Sequence, residues 1–237
     1  MKDHSRAPGH AGHRERIRTE LLRYGGSSFS DQKLLEVLLY YTIPMGDTSP
    51  TAVALCNTFG TLQDVLDAPL EALMQVDGVG RYTAVFLKLL PQILQRYACA
   101  QLQRSSFSCT DRVAIRQYLS AQYIGATNEQ MCLLAFNARG EFIRCVGLSD
   151  GEDNTHVDVT GRRLAQAVIE SAASTVILSH FHPGGIAAPS SDDVQSTRSA
   201  RDVLSSLDVH LQDHVIFSEE DDCIFLSDIE GLRSLFF

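Results

Sequence analysis

The spacing of apolar residues changes character near residue 110. From residue 17 to 98 they fall in short runs at helical spacing, separated by glycine and proline. Leu34, Leu35, Val37, Leu38 and Leu39 make one dense helix behind the Ser30-Asp31 cap signal, and Pro44 and Gly46 end it. A second helix is expected from about Thr51 to Phe59, closed by Gly60. Thr61 or Asp67 opens further short ones, Pro69 to Leu73 leads into Val76-Asp77-Gly78-Val79-Gly80, and a last helix runs from Arg81 to about Tyr97. Short helices of this kind predict a small all-α domain over residues 1–100.

Gln101 to Thr110 is polar and serine-rich, and reads as a linker over residues 101–110. Beyond it the period alternates. Helices are expected over Asp111–Ile124, Gly161–Ala172 and Val194–Leu207. Strands are expected over Gln130–Phe136, Phe142–Leu148, Thr175–Ser179 and His210–Ser218, with a turn at Asn137–Gly140. Strands interleaved with helices predict an α/β layer structure with a mixed sheet over residues 111–237. The chain therefore reads as α+β in two domains.

Composition narrows the function classes. The 237 residues carry 44% hydrophobic and 21% charged side chains, ordinary for a globular protein. No apolar run approaches the ~20 residues of a membrane span. The polar start, with His4, His10 and His13, lacks the apolar stretch of a secretory leader and reads as disordered. The six cysteines form no Cys-x-x-Cys pair, and most sit among apolar neighbours; they read as reduced core thiols of a cytoplasmic protein. Net charge is -9, unevenly spread: residues 1–110 hold 11 Lys+Arg against 10 Asp+Glu, the rest 9 against 19. Phosphate neutralisation is within reach of the N-terminal part alone, and its excess is small.

The chemistry concentrates where strand Thr175–Ser179 runs into His180-Phe181-His182-Pro183. Side chains alternate along an extended segment, so His180 and His182 point the same way. Pro183-Gly184-Gly185 turns the chain, and Ser190 is a natural N-cap for the helix that follows. Asp193 then lies in the first helical turn and can reach back to the histidines, with Asp192 as a competitor in the same turn. Two imidazoles and a carboxylate suit Zn²⁺ and leave a fourth position for water. The bland alternative is a polar loop entrance with Ser190 acting only as a cap.

This arrangement, His-x-His-Pro followed by Ser190 and Asp193, resembles the JAMM (MPN+) zinc metalloprotease motif. With Gly185, Pro189 and the downstream Asp213-His214 pair it is similar to that of the RadC (UPF0758) proteins. Gly12-His13-Arg14-x-Arg16 and the Ser30-Asp31 helix start extend the likeness over nearly the whole chain. The resemblance implies a cytidine-deaminase-like α/β/α sandwich of the JAB/MPN fold over about residues 110–237. It implies one Zn²⁺ on His180, His182 and Asp193 with a water as fourth ligand, and Ser190 as the residue supporting the tetrahedral intermediate. Three positions depart from the pattern: Phe181 stands where Asn is usual, Gly184-Gly185 replaces Ser-Gly, and Cys145-Val146 occupy the place of an acidic residue ahead of Gly151. Glu141, Asp150, Glu152 and Glu170 are near in sequence, but none falls on that place, so no general base is assigned.

Upstream, Leu73-x2-Val76-Asp77-Gly78-Val79-Gly80 followed by a helix is similar to a helix-hairpin-helix. Such a turn exposes backbone N–H groups that bind DNA phosphate without reading sequence. Gly78, Gly80 and Arg81 are the candidate DNA contacts, with Lys88 adding charge, while Asp77 and Glu71 oppose it. The plainer reading is a glycine turn that lets two helices pack.

Three functions follow. The first is a zinc-dependent JAMM-type hydrolase acting on an amide or isopeptide of an unknown peptide or protein, within a protein of DNA repair or DNA metabolism. The second is a DNA-associated accessory protein whose metal site is structural. The third is a nuclease, ranked last because one three-ligand site poorly suits the two-metal route.

Overall fold

Helix α1 (Pro8–Tyr24) opens the computed structural model, which describes residues 8–148, 160–218 and 222–237. The expected disordered start is therefore helical from Pro8 onward. Composition hid this because a narrow stripe and one cation are enough to hold it. Ile17 is buried with Phe29, Val37 and Tyr40, and Leu21 packs against them. Arg14 donates to the carbonyls of Ile43, Pro44 and Gly46 at 2.9, 3.0 and 2.8 Å. His13 Nε2 lies 3.0 Å from Glu36 Oε1, whereas His4 lies outside the described residues.

The chain divides into two units, residues 1–93 and 94–237. The first continues with α2 (Asp31–Leu39), α3 (Ser49–Phe59), α4 (Leu62–Asp67), α5 (Leu70–Leu73) and the start of α6 (Arg81–Gln103). Ser30 caps α2 by accepting from the Lys33 amide, and Thr61 and Asp64 form a reciprocal capping box on α4. Leu35, Leu39, Leu55, Val65, Leu73 and Leu87 are the centre of its core.

The second unit is built on one sheet. Its strands are β1 (Gln130–Phe136), β2 (Phe142–Gly147), β3 (Thr175–His182), β4 (His210–Ser218) and β5 (Cys223–Phe225), in the order β2-β1-β3-β4-β5. The β3–β4 pair is parallel and the other pairs are antiparallel, so the sheet is mixed as expected. Alternation splits each strand between two cores. Leu133, Val176, Leu178 and Ile216 meet Leu164 and Val168 of α8 (Gly161–Ser171) and Leu204 of α9 (Ser191–Ser205). Leu134, Phe136, Ile177 and Val215 meet Ile115, Tyr118 and Leu119 of α7 (Arg112–Gln122). Helices thus cover both faces, consistent with a JAB/MPN α/β fold.

Two boundaries differ from the pattern reading. Residues 101–103 complete α6, and within the expected linker Phe107 is buried, stacked on Phe142 at 4.5 Å. A single anchoring aromatic in a polar stretch leaves no periodic signal. Strand β3 also runs on through His182, because Met131 and Ile216 pair with His180 on either side. No described helix is long and apolar enough to cross a membrane.

Candidate metal centre

The site forms where β3 and α9 meet. β3 carries His180 and His182 on the face that α9 covers, and the two rings sit edge to face at 4.6 Å. Ser190 caps α9 and Asp193 is its third residue, in a capping box. Asp193 donates its amide to Ser190 Oγ at 3.1 Å, and Asp193 Oδ2 accepts from the Ser190 amide and hydroxyl, both at 2.7 Å. The box turns the carboxylate toward the strand. Asp193 Oδ1 lies 2.6 Å from His180 Nδ1, and Oδ2 lies 3.6 Å from His182 Nε2. Asp192, the competing ligand, is exposed.

His180, His182 and Asp193 bring one ligand atom each within 4.8 Å of one another, a cluster able to hold a metal ion. His180 Nε2 is buried with no hydrogen-bond partner. An unsatisfied buried ring nitrogen costs ~1–3 kcal/mol, and a ligated cation removes that cost. The donor set of two nitrogens and one oxygen fits a borderline-hard divalent ion. Burial works against ionisation of Asp193, yet hydrogen bonds from His180, His182 and Ser190 outweigh it and hold the carboxyl far below the usual range. The same carboxylate, through its hydrogen bond, raises His182.

Sequence reasoning missed Glu129. Its Oε2 lies 3.7 Å from His180 Nε2, and its charge adds to the upward shift of His182. Glu129 precedes β1, whose first residues pair with the end of β3: Gln130 faces Phe181 and Met131 faces His180. The antiparallel register therefore delivers a carboxylate to the histidines from far upstream. A usable signal existed, because an acidic residue just before a buried strand lies beside whatever ends its antiparallel neighbour.

The other candidates are placed elsewhere. Glu141 accepts from Asn137 and Arg139 at the β1–β2 turn, at the opposite end of the sheet. Glu170 pairs with Gln166 on the exposed face of α8, and Asp150, Gly151 and Glu152 lie outside the described residues. Ser190, expected to support the intermediate, commits its hydroxyl to Asp193. Phe181 points away from the site, buried and stacked on Tyr123 at 4.9 Å.

Behind the cluster, His214 Nδ1 lies 2.7 Å from Thr197 Oγ1, and Thr197 donates to the Asp193 carbonyl at 2.6 Å. Burial and the neighbouring His180 push His214 down to about 3. Asp213 accepts from Ser227 Oγ at 2.5 Å and from the His214 amide at 2.9 Å. His214 thus braces β4 against α9 beneath the cluster, while Asp213, on the other face of the sheet, ties β4 to Ser227 and Arg112.

In the first unit, Gly78 has φ 83, and a Cβ there would meet Thr51 Oγ1 at 2.3 Å. Gly80 has open space around it, and Arg81 is exposed. Lys88 is spoken for: it donates to the Leu66 and Asp67 carbonyls at 2.8 and 3.1 Å, closing the end of α4.

Comparison with known proteins adds the following. Residues 109–231 match the RadC-like JAB domain family. A UPF0758 protein of Ruegeria pomeroyi is 33% identical over 208 residues, 87% of this chain and 92% of the relative.

Proposed function

The chain belongs to the RadC-like JAB domain family, and on that footing we propose that it is a zinc-dependent hydrolase of peptide or isopeptide bonds. His180, His182 and Asp193 hold the ion, and Glu129 is the general base. The observation that carries this reading is the Glu129 carboxylate, 3.7 Å from His180 Nε2. A Zn²⁺ bound there supplies a Lewis acid that lowers the pKa of a coordinated water.

The chain's own groups do the remaining work. Asp193, kept ionised by its hydrogen bonds, balances the cation's charge and fixes the histidine rings. Glu129 receives the proton of the attacking water and passes it to the leaving nitrogen. Ser190 orients Asp193 through two hydrogen bonds; freed from that carboxylate, its hydroxyl would donate to a developing oxyanion. His214 and Thr197 hold the α9 backbone at Asp193 against β4.

General-base catalysis contributes roughly 10²–10⁴ in rate. Glu129→Gln should lower kcat by that range on any peptide or isopeptide that the zinc-loaded chain cleaves, with zinc stoichiometry unchanged. Equal rates for both proteins would remove Glu129 from the mechanism.

A second reading has its own support. Gly80, unlike Gly78, has no packing neighbour that excludes a side chain, and it lies at the exposed start of α6. A DNA phosphate at those amides would make the protein a DNA-associated factor, with the metal site structural or catalytic within DNA metabolism. A nuclease remains the weakest assignment, since the described cluster offers a single three-ligand site.

A further inference from the structure

On the face of the sheet away from the histidines, three thiols converge. Cys132 on β1 and Cys99 on α6 are buried in the layer under α7, and Cys145 on β2 packs against it. In the β1–β2 register Cys132 faces Gly147 and Cys145 faces Leu134. The two are therefore diagonal neighbours on one face, each side chain turned into the layer under α7. Cys99 is engaged differently, with its Sγ donating to Gln122 Oε1 at 3.6 Å.

The pair is chemically unequal. The hydrogen bond from Cys145 holds the Cys132 thiol below its ordinary range despite burial, while the same contact and burial push Cys145 up. One sulfur is thus suited to attack and the other to carry the proton until it resolves the product. Cys145 lies on the outer strand of the sheet and is only half-buried, so a small oxidant has a short route in.

Cys132 also touches the back of the metal centre. The Tyr123 hydroxyl lies 3.5 Å from Cys132 Sγ and donates to Ser179 Oγ at 2.9 Å. The Tyr123 ring stacks on Phe181. Ser179 and Phe181 are the two neighbours of His180 in β3, so Tyr123 joins the thiol to both sides of a ligand.

We propose that Cys132 and Cys145 form a peroxide-sensitive pair that closes a disulfide between β1 and β2 and loosens the metal centre through Tyr123. The Cys132 thiolate attacks a peroxide oxygen, the O–O bond breaks, and Cys132 becomes a sulfenic acid as hydroxide leaves and is protonated. Cys145 then displaces water to form the S–S bond. In total two thiols lose two electrons and two protons, and hydrogen peroxide becomes two waters. Closure draws Cys132 Sγ away from the Tyr123 hydroxyl. The effect on the ligands rests on the metal reading above; the disulfide does not.

The test treats the full chain with a small excess of hydrogen peroxide, alkylates remaining thiols and maps peptides by mass spectrometry. The expected result is a Cys132–Cys145 link that dithiothreitol reverses, retained in Cys99→Ala and lost in both Cys145→Ala and Cys145→Ser. Zinc affinity, measured against a chromophoric chelator, should fall about tenfold on oxidation, the lower range for changes one layer behind a ligand. Full alkylation of Cys132 and Cys145 after peroxide, or a link to Cys99 instead, overturns the proposal. A link without a change in zinc affinity overturns its coupling half. A reduced chain that binds no zinc overturns the metal reading while leaving the disulfide standing.

Discussion

The protein has two glycine-bearing turns beside candidate functional residues: Gly78-Val79-Gly80 ahead of α6, and Pro183-Gly184-Gly185 behind β3. At the first, packing explains half of the motif. Gly78 is in the left-handed region and faces Thr51 so closely that no side chain fits. At the second, packing explains little of the neighbouring residues. Two histidines and a buried carboxylate crowd together, and His180 Nε2 is left without a hydrogen-bond partner. The difference teaches where a motif carries weight. A residue required by the fold is silent about ligands, whereas a buried polar atom that the fold leaves unsatisfied points to something that binds.

The strongest way to break this comparison is His182→Ala. Zinc affinity should fall by more than about 100-fold, beyond what changes behind a ligand typically cost, as read by chelator competition. The melting of the first unit should be unaffected. Zinc binding that survives the substitution would move the site elsewhere.

Acid offers the next test. His214 has a folded pKa of about 3, against an ordinary value of 6.5. Between those values the unfolded state binds the extra proton, so stability is complete above pH 6.5 and declines as pH falls toward 3. From pH 7 to 5 this group alone removes roughly 2 kcal/mol, partly offset by His182, which shifts the other way. In chelator, protection factors along β4, corrected for the intrinsic pH dependence of amide exchange, should fall on acidification more than those in α2 and α3, whose shared core is apolar. An equal fall in both units would erase the contrast.

The smallest effects separate the two glycines. Gly78→Ala should cost ~1–3 kcal/mol, the price of a strained left-handed residue, and Gly80→Ala under about 1 kcal/mol. Gly80→Glu should leave the fold intact yet abolish any affinity for duplex or branched DNA at low salt, measured by anisotropy. No affinity in the unaltered chain would end the DNA reading.

Much of the second unit was legible because its signals are local. Thr175 to Ser179 is apolar and β-branched, His-x-His sets both rings on one face, and Ser190 as cap places Asp193 rather than Asp192 inward. The helical start was not legible, since Arg14 holds it by reaching carbonyls about thirty residues away. Glu129 was hidden for the same physical reason. Its nearness to His180 exists only through the β1–β3 pairing, whereas Cys145 and Val146 lie on β2, which does not neighbour β3. Phe107, alone among polar neighbours, gave no period to read.

The capping box that starts α9 acts as a ruler. A helix turns about 100° with each residue, so the three-residue step from Ser190 to Asp193 fixes both the angle and the height at which the carboxylate meets the strand. One residue inserted in that step would swing the carboxylate to the side of the helix, taking the cap and the third member of the cluster away together. Length changes tolerable in the Pro183–Pro189 loop would be ruinous here. The spacing of the motif is thus set by helical pitch, and the same three residues that begin a helix measure out the distance to the histidines.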